Sequence, residues 1–194
     1  MHAILCFGDS ITFGRGENPS RGWVGRLKAD FESEDYYNCV YNLGIPGDTS
    51  TDLLKRFRTE VSQRVRYQRE DDRFVICIAI GINDSPEAPV DVFRQNMTKL
   101  VRASQEFTEE VFLIGCTCVD EGRTDPYEDT YFSNEKIRQF NSIIQQIARE
   151  YEVRFIDVFD ILEDKTLIDD GIHPNSEGYE KLFHRIKGFL QTRH

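Results

Sequence analysis

Seven consecutive apolar residues, Phe74-Val75-Ile76-Cys77-Ile78-Ala79-Ile80, restrict this chain more than any other stretch. A half-exposed strand alternates apolar and polar side chains, so a short run that is apolar throughout needs cover on both faces. Parallel sheets between helices provide that cover. Four further short runs share the pattern: Ala3 to Phe7, Cys39 to Leu43, Val111 to Cys116 and Arg154 to Val158. Between them, Trp23 to Glu32, Thr51 to Tyr67, Val90 to Phe107, Asn134 to Tyr151 and Glu177 to Thr192 carry apolar residues at helical intervals. Ile137, Phe140, Ile144, Ile147 and Tyr151 form one such stripe. Strands alternating with helices predict an α/β fold built on a five-stranded parallel sheet, with Phe74 to Ile80 near its middle. Asp48, Thr49 or Ser50 can cap the second helix, and Asn175 or Ser176 the last, because their side-chain oxygens satisfy free backbone donors.

At 194 residues, with 39% of them hydrophobic, the chain has enough apolar surface for one core and too little length for two sizeable ones; residues 1–194 are read as a single domain. A formal net charge of −10 argues against nucleic acid, whose binding relies on Lys and Arg displacing counterions. The most basic stretch, Lys55 to Arg73, is interrupted by Glu60, Glu70, Asp71 and Asp72, the pattern of a solvated helix face. The opening apolar run is too short for a secretion signal, and nowhere do about 18 uninterrupted apolar residues mark a membrane span. Of the five cysteines, four fall inside apolar runs as small hydrophobes, which suits a reducing cytosol, so a cytoplasmic protein is expected. Cys116-Thr117-Cys118 lacks the usual C-x-x-C spacing and a nearby histidine, so it is read as structural rather than as a metal or redox site.

Ligands of an open parallel sheet bind outside the carboxyl ends of its strands. Four motifs fall there: Gly8-Asp9-Ser10 after the first strand, Gly47-Asp48 after the second, Gly81-Ile82-Asn83-Asp84 after the third, and Asp170-Gly171-Ile172-His173 after the fifth. Each motif taken alone reads as a turn or a cap. Converging on one rim, they supply the parts of an acyl-transfer site: Ser10 as nucleophile, His173 as base, and Asp170 to accept the Nδ1 proton and fix the tautomer. The oxyanion then falls to the amides of Ser10 and Gly47 and the side-chain amide of Asn83. Asp169 competes with Asp170, and Gly44 with Gly47; spacing favours Asp170, and the Pro46-Gly47 turn favours Gly47. His2, His184 and His194 are no rivals for the base. There is no G-x-S-x-G elbow, so another hydrolase architecture is required.

With these blocks in this order, the chain resembles the GDSL, or SGNH, hydrolase family, in its compact bacterial thioesterase/lysophospholipase-like esterase branch. Ser10, Gly47, Asn83 and His173 match the four residues of the family's second name, Asp170 the acid partner; Ile11 stands where the first name has Leu. The resemblance implies a three-layer α/β/α sandwich with a flavodoxin-like sheet. It also implies hydrolysis of small ester or thioester substrates through an acyl-enzyme, with no cofactor and no metal. A carbohydrate O-acetyl esterase would use the same residues. The rival of a different class is a non-catalytic flavodoxin-like module whose Gly8 to Gly14 turn cradles a phosphate. Arg15, Trp23, Arg123, Tyr127, Tyr131 and Phe132 lie on or near loops able to wall a pocket. With no lid helix or long apolar insertion, short acyl chains are expected.

Overall fold

Along the first strand, β1 (His2–Gly8), side chains alternate between two cores: Ala3, Leu5 and Phe7 enter one, Ile4 and Cys6 the other. Period-two geometry turns a continuously apolar run into two buried faces. The computed structural model describes residues 2–19, 21–65, 72–124 and 130–191. Within them the sheet continues through β2 (Cys39–Gly44), β3 (Arg73–Ala79), β4 (Val111–Ile114) and β5 (Arg154–Ile156), in the order β2-β1-β3-β4-β5. Every neighbouring pair is parallel, with Cys6 in register with Asn42 on one side and Cys77 on the other.

Among the described residues six α-helices accompany the strands: α1 (Ser10–Phe13), α2 (Gly22–Glu34), α3 (Ser50–Val65), α4 (Val90–Gln105), α5 (Asn134–Glu150) and α6 (Ser176–Gln191). Helices α3, α4 and α5 cover one face through Leu53, Phe57, Met97, Phe93 and Phe140; α2 and α6 cover the other through Trp23, Leu27, Tyr179 and Ile186. The result is the expected three-layer α/β/α sandwich. Phe93 and Phe140 stack with ring centroids 4.2 Å apart, and Phe7 meets Phe57 at 4.7 Å. Truncating one such ring to alanine costs ~3–5 kcal/mol.

The sheet's hydrogen bonding ends earlier than the apolar runs do. After Ile114 the chain remains buried, but the Cys116 amide donates to Asn141 Oδ1 at 2.7 Å and its carbonyl accepts from Asn141 Nδ2 at 2.8 Å. A side chain from α5 thus stands in for a neighbouring strand. Of the cap candidates, Thr49 serves α3 in a reciprocal pair: Asp52 N–H donates to Thr49 Oγ1 at 3.3 Å, and Thr49 N–H to Asp52 Oδ2 at 3.3 Å. Asn175 caps α6, accepting from the Gly178 amide at 3.0 Å. The expected helix ends at Tyr67 and Thr192 lie outside the described residues.

From β1 the chain runs through α2 to β2 on one side, and from β2 through α3 across to β3 on the other. The order therefore reverses around β1, and the loops leaving β1 and β3 diverge to open a crevice at their carboxyl ends.

Candidate active site

The residue after β1 that matters first is Asp9. Its carboxyl takes the Ile11 amide at 2.9 Å and starts α1, while Gly14 and Arg15 amides close the turn on the Ser10 carbonyl at 3.0 and 2.9 Å. Ser10 thus opens a single helical turn, where its own N–H has no intrahelical acceptor and is available to a ligand. The same turn weakens the phosphate-cradle alternative, since the Asp9 carboxyl already takes the Ile11 amide and sets an acidic group at the helix start.

At the far end of the sheet the loop before α6 folds back on itself. Ile168 and Pro174 form an antiparallel bridge, and the Asp169 amide donates to the His173 carbonyl at 2.8 Å. Within that loop Asp170 Oδ1 accepts the amides of Ile172 and His173 at 3.0 and 2.9 Å, and Asp170 Oδ2 lies 2.7 Å from His173 Nδ1. His173 Nε2 lies 2.8 Å from Ser10 Oγ across 163 residues of sequence. An ionised carboxylate only accepts, so Nδ1 carries a proton toward Asp170, and Nε2 faces the serine hydroxyl. Ser10 and His173 are both buried. Asp169, the competing acid, contributes its backbone to the loop.

Burial acts to raise the Asp170 carboxyl, but the His173 ring and the two amides outweigh it and hold the group well below the ordinary carboxylate range. Asp9 shows the opposite balance. It is 3% exposed, and burial pushes it up to about 7 against the pull of the Ile11 amide and nearby His173.

The oxyanion candidates come from the loops after two further strands, β2 and β3. Gly47 sits at φ +87 with open space where a Cβ would be, and its N–H has no acceptor among the described residues. Gly44, by contrast, is packed against α1, where an added Cβ would meet the Phe13 nitrogen at 2.3 Å; its amide is taken by Asn42 Oδ1 at 3.1 Å. Asn83 Nδ2 donates to the Asp48 carbonyl at 2.9 Å, which fixes the amide plane and leaves a second N–H. Buried Asp84 anchors the same loop to the start of α3, accepting from Ser50 Oγ at 2.5 Å and the Ser50 amide at 2.8 Å; Asn96 adds a bond to Ser50 Oγ at 3.1 Å.

Support for the histidine comes from behind. Gly16, at φ +95, lies so close that a Cβ would meet the Pro174 carbonyl at 2.5 Å and His173 Cβ at 2.9 Å. The buried Tyr179 hydroxyl donates to the Arg15 carbonyl at 2.5 Å and ties that turn to α6. Gly16 and Tyr179 escaped the sequence reading, which named Asp9 and Asp84 within the motifs of Ser10 and Asn83 but gave them no role.

The loop residues expected to wall a pocket divide. Trp23 and Phe132 are core residues, 2% and 8% exposed. Arg123 braces the His173 loop by donating to the carbonyls of Ile168, at 3.3 Å, and Asp169. Arg15 and Tyr131 are exposed, and Tyr127 lies outside the described residues. Cavities of about 390 and 530 Å3 open at the amino ends of the strands, lined by residues such as His2, Arg73, Val111 and Arg154, away from Ser10. Beneath the site itself, a space of about 30 Å3 bounded by Asp9, Ile82 and Thr117 has room for about one water. Among the described residues no helix is long and apolar enough to cross a membrane, and no cluster of His, Cys, Asp or Glu is arranged to hold a metal.

A family model described as GDSL-like Lipase/Acylhydrolase matches residues 6–181. A multidomain esterase from Ruminococcus flavefaciens is 28% identical over 226 aligned positions, covering 97% of this chain and 29% of that protein. Esterase TesA from Pseudomonas aeruginosa is 30% identical over 114 positions, 58% of this chain and 53% of that protein. The chain therefore spans well under two thirds of either relative's length. A lipase/acylhydrolase structure from Enterococcus faecalis superposes with a TM-score of 0.81 at 27% identity, covering 98% of this chain and 95% of that one. An acetylxylan esterase from Geobacillus stearothermophilus shares the fold, with a TM-score of 0.78 at 20% identity over 98% and 94% of the two chains.

Proposed function

This chain belongs to the GDSL-like lipase/acylhydrolase family, and on that premise we propose that it hydrolyses ester bonds, with Ser10 as nucleophile, His173 as general base and Asp170 as the acid that orients the base. The observation that carries the reading is the unbroken run of contacts from Asp170 Oδ2 through the imidazole to Ser10 Oγ, at 2.7 and 2.8 Å. The hydroxyl proton passes to Nε2 as Ser10 Oγ bonds the acyl carbon. The tetrahedral oxyanion is received by the Ser10 and Gly47 amides and the Asn83 side chain. Collapse expels the alcohol or thiol, which takes the proton back from His173. Water, deprotonated by the same imidazole, then releases the acid from the acyl-enzyme.

The substrate is a small carboxylic ester or thioester with a short acyl group, within a single hydrolase domain. Support for a short chain is that the sequence carries no lid helix and no long apolar insertion. A fluorophosphonate probe tests the assignment: labelling of the wild type and none of Ser10→Ala is expected. Wild-type protein that turns over p-nitrophenyl acetate yet resists the probe would overturn it. A panel of p-nitrophenyl esters, acyl-CoAs and acetylated sugars ranks the substrate classes.

A further inference from the structure

One guanidinium, Arg56 on α3, bonds two of the four segments that meet at the site and reaches a third, the Asn83 loop, through Asp48. Its Nε donates to Asp48 Oδ2 at 2.7 Å, and an Nη donates to the carbonyls of Leu43 at 3.0 Å and Gly8 at 3.2 Å; the other Nη pairs with Glu60 at 2.9 Å. The two carbonyls lie at the carboxyl ends of β2 and β1. Gly8 stands two residues before Ser10, and its carbonyl also accepts the Ile45 amide at 3.0 Å. Asp48 follows Gly47, and its amide closes the turn on the Ile45 carbonyl at 3.1 Å. That same Asp48 presents its carbonyl to Asn83 Nδ2 at 2.9 Å. The side chains of Arg56 and Asp48 are only 16% and 12% exposed, so water does little to loosen the pair. A planar fork with five donors can hold these acceptors at once, whereas a lysine ammonium cannot reproduce the fork.

We propose that Arg56 is the positioning residue of the oxyanion hole: through Asp48 and the Gly8 and Leu43 carbonyls it sets the Gly47 amide and the Asn83 side chain in register with Ser10, without touching substrate. The proposal rests on the ester-hydrolysing reading of the site. A hole displaced by a fraction of an ångström binds the ground state nearly as well but meets the developing oxyanion badly, so the loss falls on kcat rather than KM.

The test uses Arg56→Met, Arg56→Lys and Asp48→Ala, each in wild-type and Asn83→Ala backgrounds. kcat and KM are measured on p-nitrophenyl acetate, with the rate of fluorophosphonate labelling and the thermal midpoint. Arg56→Met is expected to lower kcat roughly 10- to 100-fold while KM moves less than about threefold. Asp48→Ala, which leaves Arg56 in place, is expected to lower kcat in the same direction. In the Asn83→Ala background, Arg56→Met is expected to remove no more than about threefold further, because part of the hole it aligns is already gone. A folded Arg56 variant with wild-type kcat, a lowered midpoint with unchanged kcat, or losses that multiply in the double variant would each overturn the proposal. If Arg56→Met does not fold, Arg56→Lys and Asp48→Ala decide by the same criteria. Wild-type protein left unlabelled by the probe would instead remove the reading of the site, and Arg56 with it.

Discussion

Ser10, Asp170 and His173 are ordinary residues in a turn, a loop and a helix approach; only their mutual distances set them apart. Ser10→Ala and His173→Ala are expected to lower kcat by roughly 10⁴-fold or more, because each removes a group the others act through. Asp170→Asn is expected to cost roughly 10² to 10⁴ by mis-setting the tautomer. Asn83→Ala is expected to cost roughly 10² to 10³ as one lost oxyanion donor. Steady-state rates on p-nitrophenyl acetate check all four, and an Asn83→Ala enzyme with unchanged kcat would remove that residue from the hole. The meeting of Ser10 with His173 was legible because the sheet dictates it: residues following parallel strands share one rim. Asp170 over Asp169 was legible from spacing alone. Asp9 was not, because its neighbours Asp84, Cys116 and Tyr179 come from segments remote in sequence, and burial is a property of the assembled core.

Elements were more legible than the contacts between them. All five strands and the five long helices fall where apolar periodicity puts them, since burial of a face is a local pattern. Helix α1 is a single turn, too short to carry a period, and β4 stops where the distant Asn141 takes over its hydrogen bonds. The packing of the Arg15 to Glu17 turn against the loop before α6 belongs to the same hidden class. It makes a sharp prediction at Gly16, whose φ of +95 and close approach to Pro174 and His173 leave no room for a methyl group. Gly16→Ala is expected to cost about 1–3 kcal/mol in backbone strain. It is also expected to lower kcat at least about tenfold as the imidazole is pushed off Ser10. Thermal unfolding and turnover measured on the same preparation check it; full activity would show that the turn does not set the position of His173.

For the whole molecule, buried carboxyls pull stability in opposite directions with pH. Glu17 joins the turn before α2 to α2 and α6: both its oxygens accept from Arg26 at 2.7 Å, one also takes the Gly22 amide at 2.9 Å and the other Ser176 Oγ at 2.7 Å. Chiefly through the Arg26 bonds, against opposing burial, its pKa falls from 4.5 to about 2. A depressed carboxylate contributes stability that is present above 4.5 and lost as pH falls through about 2. Asp9 runs the other way: with its pKa raised by burial from 3.8 to about 7, its contribution is complete below 3.8 and is lost as pH rises through about 7. A net charge of −10 at neutral pH adds self-repulsion that protonation relieves, so it reinforces the Asp9 limb. Thermal midpoints are therefore expected to peak where the two limbs cross, between pH 3.8 and 4.5, and to decline on both sides. Two substitutions separate the limbs. Glu17→Gln is expected to lower stability at pH 7 by about 3 kcal/mol, the Arg26 guanidinium keeping its pairing with Glu180. Asp9→Asn keeps an oxygen for the Ile11 amide but carries no charge, so it is expected to flatten the decline above pH 5 and gain up to about 4 kcal/mol over wild type at pH 8. Midpoints of wild type and Asp9→Asn that fall in parallel between pH 5 and pH 8 would assign that limb to surface charge instead of the carboxyl beside the nucleophile.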